Sequence, residues 1–353
     1  MKGKEKKMKK LLVLMCILAM GLTGCSKSNS GKQKLVISTW GLNADIIKKD
    51  VYEEFEKANN CEIVVEEGTT TDRYGKLKAN PNYAIDIIEL SQSEAAKGYA
   101  DGVFEKIDYS KIPNASNLIE GAASLKENGY GPAYTVNSIG IIYDKEKVGF
   151  EIKEWADLWR PELKGKISIP EITSTFGPAM VHIASDYKGV DIKSDNGAAA
   201  FEALAELKPN IVKTYAKSAD LANMFSAGEI TVAVIGDFGI PSVKKEGVVP
   251  NAEYVVPASG TYANFNTIDI NATSKNKELA YKYIDWRLSK ELQEKTASSL
   301  NEAPTNKEVE LSGEVAENKT YGEIAQRAKA IDYSFVNPLL SDWIDQWNRI
   351  INS

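Results

Sequence analysis

The sequence predicts an α/β fold built from mostly parallel strands with helices on both faces. Strand-like runs such as residues 34–39 and 85–90 alternate along the chain with segments of helical periodicity such as residues 45–59. Alternation of this kind is typical of parallel sheets whose connections are helices. After an N-terminal polar stretch about 320 residues remain, which is enough for two medium-sized domains.

The first 24 residues have the layout of a secretory signal peptide. Six lysines lie between residues 2 and 10, and an apolar run follows at residues 11–20. A hydrocarbon core of ~30 Å needs roughly 20 helical residues, so a permanent membrane-spanning helix is the weaker interpretation. We therefore expect residues 1–24 to be removed during export.

A cysteine ends the sequence LTGC at residues 22–25, which resembles the bacterial lipobox. We expect the thiol of Cys25 to carry a lipid that anchors the protein to the membrane, with the polar residues 25–33 as a tether. An ordinary signal peptide with a chance cysteine is the alternative. The expected location is the extracellular face of the cell membrane, or the periplasm if the envelope has two membranes. Cys61 is then the only free thiol, so no internal disulfide can form.

The net charge becomes more negative once the signal is removed. The full chain has 43 basic and 49 acidic side chains, a net charge of −6. Loss of six lysines and Glu5 leaves 37 basic against 48 acidic side chains, a net charge of −11. An acidic protein is a poor candidate for binding nucleic acid, and its long-range field favours cationic ligands.

The chain after the tether contains strand and helix patterns in alternation. One predicted helix begins near Pro178, and the last one begins near Pro338. The predicted strands are residues 34–39, 62–66, 85–90, 166–169, 231–235, 254–256 and 267–270. The other predicted helices are residues 45–59, 74–78, 92–99, 278–288, 290–298 and 321–330.

Signatures of enzymes are scarce in this sequence. The only histidine, His182, falls within a predicted helix, so zinc and iron sites with several histidines are excluded. No nucleophile elbow, phosphate-binding glycine loop or dinucleotide fingerprint follows a strand. We expect a protein without catalytic activity, cofactor or metal. A secreted hydrolase that relies on His182 and a structural surface lipoprotein are the alternatives from other classes.

Polar and aromatic side chains lie next to several predicted strands, mostly just after them, where open α/β sheets bind their ligands. Each has a plainer interpretation, as a core ring, a helix cap or a solvated carboxylate. Together they form the candidate ligand-binding set. Its members are Trp40, Ser91, Ser93, Glu171, Ser174, Thr175, Asp237, Asn264 and Asn266.

Residues 34–306 resemble the spermidine/putrescine-binding class of solute-binding proteins of ABC importers. The resemblance covers most of the mature chain, with its segments in the expected order. The segments that carry it are LVISTW, YEEFEKANNCEIVVEE, YGPAYTVNSIGIIYDKEKV, WADLWRPELKGKISIPE, SAGEITVAVIGDFG, NATSKNKELAYKYIDWRLSKELQEK and APTN.

This resemblance implies a two-lobe periplasmic-binding-protein fold of type II, with the ligand in a cleft between the lobes. It implies one lobe formed by residues 34–134 and 262–306, and a second formed by residues 135–261 and 307–353. It also implies an ABC permease as the partner. We expect the binding protein itself to be a monomer.

Several positions depart from the polyamine-binding pattern of that class. Trp40 matches the first aromatic residue, but the family's tryptophan after a later strand falls on Gly236, next to Asp237. The family's Trp-x-Asp motif falls on residues 264–266, and its last tyrosine falls near Glu302. The resemblance implies a small amine or polyamine-like solute, whereas the departures suggest a ligand shorter than spermidine or putrescine. An amino acid-like or aminophosphonate zwitterion is the alternative, with its ammonium at Glu302, Glu171 or Asp237 and its anion at Ser174 and Thr175. Ferric iron is a remoter alternative.

Overall fold

The computed structural model describes residues 31–41, 43–126, 131–317 and 319–352, with the backbone alone at residues 218 and 219. Contacts divide the chain into residues Met1–Gln33 and a compact unit, Lys34–Ser353. The predicted signal peptide and Cys25 lie outside the described residues. The description below concerns the compact unit.

The strands confirm the predicted alternation in most places. Seven predicted strands are found, six with small shifts of their ends and one, predicted at residues 267–270, that begins six residues earlier at Thr261. The strands are β1 (Gln33–Thr39), β2 (Cys61–Glu67), β3 (Ile87–Ser91), β4 (Ala133–Tyr143), β5 (Ile167–Pro170), β6 (Ile211–Tyr215), β7 (Val232–Gly236), β8 (Glu253–Val255), β9 (Thr261–Ile270), β10 (Ala303–Pro304) and β11 (Ala328–Ala330).

Helices connect these strands and cover them. The first two are joined by a π-helical turn, Lys48–Tyr52. The helices are α1 (Ala44–Ile47), α2 (Glu53–Asn59), α3 (Thr70–Ala79), α4 (Gln92–Ala100), α5 (Glu120–Ser124), α6 (Lys145–Val148), α7 (Gly177–Lys188), α8 (Ile192–Asp195), α9 (Ala198–Leu207), α10 (Ser218–Ser226), α11 (Ile240–Val243), α12 (Lys277–Arg287), α13 (Lys290–Ser299), α14 (Glu323–Arg327) and α15 (Tyr333–Ile350).

The hydrogen-bonded path through the sheet runs in the order β2-β1-β3-β9-β4-β7-β5-β6. Pairing is parallel between β1 and β3 on one side and among β7, β5 and β6 on the other. The α/β class is therefore confirmed, but the middle of the path is antiparallel, because β9 and β4 cross between the two parallel parts. We call β1–β3 with their helices the first half, and β5–β7 with theirs the second half.

Strand β4 joins the two halves by exchanging its partners along its length. Its N-terminal part pairs with β9, up to Ser138 opposite Ala263. From Ile139, opposite Gly236, it pairs with β7 instead. A strand that belongs to both parts of a sheet holds their edges together while leaving the parts free to differ in twist. The sequence analysis did not predict this strand.

Three further differences from the predicted elements have local causes. Residues 264–266 lie within β9 rather than ahead of it. The predicted helix over residues 321–330 ends at Arg327, because the chain then pairs with β9 as β11. The last helix begins at Tyr333, ahead of Pro338, because the side chain of Asp332 accepts hydrogen bonds from the backbone N–H groups of Ser334 and Phe335 and caps it.

The C-terminal helix α15 packs against both α4 and α9, and so touches both halves. Asn337 Nδ2 donates to the carbonyl of Ser93 at 3.1 Å. The indole of Trp343 is buried and donates to the carbonyl of Asn196 at 2.9 Å. No helix in the part of the chain that the structure describes has the length and apolar character of a membrane span.

One buried carboxyl group on β9, that of Asp269, makes the stability of the fold depend on pH. Asp269 is 0% exposed, and it accepts hydrogen bonds from Thr267 Oγ1 at 2.7 Å and from Gly131 N at 2.8 Å. Burial raises the pKa of Asp269 to about 6, although the hydrogen bonds from Thr267, Gly131 and Tyr99 oppose the rise. The folded state therefore takes up a proton more readily than the unfolded chain, whose aspartates titrate near pH 3.9.

We expect the free energy of unfolding of the wild type, relative to Asp269→Asn, to rise by about 1 kcal/mol when the pH falls from 7 to 5. The direction of this change follows from the raised pKa of Asp269 in the folded state. Its protonation stabilises the folded state at low pH, and this stabilisation is lost as the pH rises through 6. Urea denaturation of both proteins at the two pH values measures the difference. A difference that stays constant would contradict this assignment.

Candidate functional site

A cavity of about 600 Å³ lies between the two halves, where β4 and β9 cross. The first half lines it with residues that follow β1 and β3, and the second half with residues 172–175 and 178 and with Phe238. Tyr134, Thr135 and Asn137 of β4 lie along it, and helix α15 closes part of one side. A cavity of this size suits a small organic molecule, because ligand sites are typically ~300–1,000 Å³.

Eight of the ten residues predicted to bind ligand line this cavity. They are Trp40, Ser91, Ser93, Ser174, Thr175, Asn264, Asn266 and Glu302. Glu171 and Asp237 are not among the lining residues. The sheet thus brings together side chains that are more than 250 residues apart in the sequence; their role in binding stays a prediction.

Trp40 is held in place by helix α3. Its indole Nε1 donates to Thr70 Oγ1 at 2.8 Å, and the guanidinium of Arg73 lies 4.9 Å from the centre of its ring. Arg73 is 1% exposed and donates through Nη1 to the carbonyls of Ser38 at 2.9 Å and Glu89 at 2.8 Å. Arg73 therefore ties β1 and β3 together beside the ring.

Glu89 in the middle of β3 is the most deeply buried carboxylate on the cavity wall, at 4% exposure. It accepts from Thr39 Oγ1 at 2.5 Å and from Tyr283 OH at 3.3 Å. Burial and the neighbouring Glu89 both raise the pKa of Tyr283, so this hydroxyl stays protonated and donates. The side-chain hydrogen bonds of Glu89 thus come from hydroxyl groups rather than from a cation.

Arg287 at the end of α12 is a cavity residue that the sequence analysis missed. Its Nη2 lies 3.1 Å from Glu302 Oε1, and its guanidinium lies 4.2 Å from the centre of the Tyr134 ring. Burial opposes its charge, but Glu302 beside it raises the pKa of Arg287, so the guanidinium stays charged. The sequence signal that could have identified Arg287 is its spacing from Tyr283 on a predicted helix, because residues four apart share a helix face.

The start of α4 carries a second charged group on the wall. Glu94 accepts hydrogen bonds from the hydroxyls of Ser91 and Ser93. Its other oxygen accepts from Lys97 Nζ at 3.3 Å. The two predicted serines are therefore partly engaged by a carboxylate that the sequence analysis did not include.

Asp237 lies behind the cavity wall and serves the junction of the two halves. It accepts from Asn137 Nδ2 at 2.9 Å, from Thr320 N at 3.0 Å and from Thr320 Oγ1 at 2.6 Å. Burial raises its pKa, which these hydrogen bonds partly oppose. Phe238, the next residue, faces the cavity instead, with 50% of its surface exposed and its ring 6.1 Å from that of Phe176.

The second half contributes the turn between β5 and α7. Ser174 Oγ donates to the carbonyl of Glu171 at 2.6 Å, which closes this turn. The side chain of Glu171 is half-buried, and this residue does not line the cavity. On β9, Asn264 Nδ2 donates to Asn266 Oδ1 at 3.0 Å, and Asn264 Oδ1 is buried with no hydrogen bond to a described residue.

The wall of this cavity offers groups that can hold a small molecule. Aromatic rings, amides, hydroxyls and paired charges line it, and the single histidine, His182, is absent from its wall. Among the described residues, no cluster of three or more histidine, cysteine, aspartate or glutamate side chains could hold a metal ion.

Comparisons with known proteins agree with this arrangement. A family model for bacterial extracellular solute-binding proteins matches residues 50–323. A crystal structure of an ABC transporter from Clostridium perfringens ATCC 13124 has 56% sequence identity and a TM-score of 0.86, covering 90% of this chain and 100% of that chain.

Two curated proteins are also similar. Spermidine/putrescine-binding periplasmic protein 1 of Haemophilus influenzae is 27% identical over 327 residues, 87% of this chain and 88% of that protein. The gamma-aminobutyric acid-binding protein of Pseudomonas aeruginosa is 22% identical over 297 residues, 81% of each.

The fold is the two-lobe α/β fold of periplasmic binding proteins, with the cavity between its lobes. The chain therefore belongs to the family of bacterial extracellular solute-binding proteins, and it is a solute-binding protein of an ABC transporter.

Proposed function

We propose that this protein captures a small amine in the cavity between its lobes and delivers it to the permease of an ABC importer. The proposal rests on the composition of the cavity wall. Three carboxylates, Glu89, Glu94 and Glu302, share it with the aromatic rings of Trp40 and Phe238. An ammonium group is attracted by carboxylates, and the apolar part of an amine packs on aromatic rings.

Residues from both halves surround the cavity, and this supports a mechanism of closure. A solute that touches both lobes binds the closed form more tightly than the open form, and it shifts the population towards closure by that difference. The permease then recognises the closed form. We propose lobe boundaries at residues 34–134 with 262–306, and at 135–261 with 307–353; α15 contacts both.

We further propose that Cys25 carries a lipid, that residues 25–33 form the tether, and that the protein acts as a monomer on the outer face of the membrane. The position of Cys25 after a basic and apolar segment supports the anchor. An anchored receptor stays near its permease, so that a released solute is not lost by diffusion.

Thermal-shift screening of the purified protein against amines, polyamines and amino acid-like solutes tests the proposal. A solute at ~100 times its Kd should add about 2.7 kcal/mol to the free energy of unfolding. Stabilisation by an ammonium-bearing solute is the expected result. Stabilisation only by sugars, anions or metal ions would contradict the proposal.

Trp40→Ala should weaken binding of the solute found in that screen by roughly 30-fold or more, because truncating a central aromatic anchor typically costs over ~2 kcal/mol. Trp159→Ala is the matched control, because Trp159 stacks on Tyr187 outside the cavity wall. Titration calorimetry measures both variants. Equal affinities for the two variants would remove Trp40 from the binding site.

Cys25→Ala should move the protein from the membrane fraction to the medium or periplasm without changing its affinity for solute. The reason is that lipid attachment and the cavity are separate features of the chain. Fractionation of cells that express each form, followed by immunoblotting, measures the distribution. Retention of Cys25→Ala in the membrane fraction would contradict lipid anchoring at this residue.

A further inference from the structure

The charged side chains around the cavity balance one another. Glu89, Glu94 and Glu302 line it together with Lys97 and Arg287. Three further charged side chains do not line the cavity but lie behind its wall, each beside one lining residue. They are Arg73 beside Trp40, Asp237 beside Asn137, and Lys319 beside Asn301.

These eight side chains carry four negative and four positive charges. Four of them contact an opposite charge directly, because Glu94 pairs with Lys97 and Glu302 pairs with Arg287. Lys319 precedes Thr320, whose backbone N–H donates to Asp237. The guanidinium of Arg73 donates to the backbone carbonyl of Glu89 rather than to its carboxylate.

A balanced wall disfavours a solute with two or three ammonium groups. Burying such a solute would leave a net charge of two or three in a site where water screens charge poorly. An unpaired buried charge is costly. A solute without net charge leaves the balance intact. The wall also offers one positively charged and one negatively charged group that could bind a further charged partner.

The group of positive sign is Arg287. Its hydrogen bonds to Glu302 use Nη2 alone. Its Nε is buried and makes no hydrogen bond to a described residue, although a guanidinium has five N–H donors. Arg287 lines the cavity with only 5% of its side chain exposed, so water screens its charge poorly and an anion beside it would be strongly attracted.

The group of negative sign is Glu89. Its side chain accepts hydrogen bonds from two hydroxyls, those of Thr39 and Tyr283, whereas Glu94 and Glu302 each contact a basic side chain. Tyr283, which donates to Glu89, lies one helical turn before Arg287 on α12, and all three residues line the cavity. A molecule with a positive and a negative end would therefore find complementary groups close together on the same wall.

We propose that the solute is a zwitterion with one ammonium group and one carboxylate or phosphonate group, whose anionic end is bound by Arg287 and whose ammonium end is bound by Glu89. This inference rests on the proposed function and narrows its class of amines. Arg287 acts as the residue that selects zwitterions over diamines. The anion is thereby assigned to Arg287 rather than to Ser174 and Thr175.

A set of probes with similar carbon chains tests the inference on the wild-type protein. The probes are 4-aminobutanoate, putrescine, butylamine and butanoate, with 2-aminoethylphosphonate as the phosphonate, each titrated calorimetrically. We expect a zwitterion to bind at least roughly 30-fold more tightly than putrescine, the range seen when one charge of a buried pair lacks its partner. Tighter binding of putrescine than of both zwitterions would overturn the inference and leave the proposed function standing. If no ammonium-bearing probe binds, both fail.

Variants then test the role of Arg287. Because Arg287→Gln alone would leave Glu302 without its partner, the double variant Arg287→Gln/Glu302→Gln removes both charges, and Glu302→Gln is its matched control. In the double variant the ratio of affinities for 4-aminobutanoate and butylamine should fall at least roughly 30-fold, and in the control it should not fall. A general loss of structure would weaken both probes alike, so an unchanged ratio in the double variant overturns the assignment.

Discussion

The partner exchange in β4 is the constraint on which the rest of this structure depends. Up to Ser138 the strand is hydrogen-bonded to β9, and from Ile139 it is hydrogen-bonded to β7, so one continuous backbone belongs to both lobes. The cavity opens beside this exchange, and Asn137 stands at its edge. Asp237 fixes the junction from behind, through Asn137 and Thr320. A site at such a junction couples solute contact to the relative position of the lobes.

Charge compensation is the second organising feature, and it distinguishes this cavity from a site lined only by unpaired carboxylates. The overall negative charge of the chain attracts cations from a distance. At contact range the balance is different, because Arg287 and Lys97 neutralise carboxylates of the wall. Long-range attraction and final selection are therefore set by different residues, since surface charges are screened over ~10 Å while buried pairs are not.

The sequence predicted the class of fold and eight of the residues that line the cavity, because both depend on local patterns. Residues next to strand ends, such as Trp40 and Ser91, gather at one edge of a sheet whatever its detailed path. The same rule placed Asp237 in the site, but the structure turns Phe238 towards the cavity and uses Asp237 as a structural acceptor. Arg287 was missed because its partner, Glu302, lies beyond the following helix, and such pairing has no local signal. Strand β4 lacked a clean pattern because it is buried in two environments.

A solute with an ammonium group that occupies the cavity should touch both lobes. A crystal structure of the protein with the solute that stabilises it most tests this directly. We expect density in the cavity between Trp40 and the turn at residues 172–175, with a nitrogen next to a wall carboxylate. Density at any other place, or contacts with one lobe alone, would contradict it.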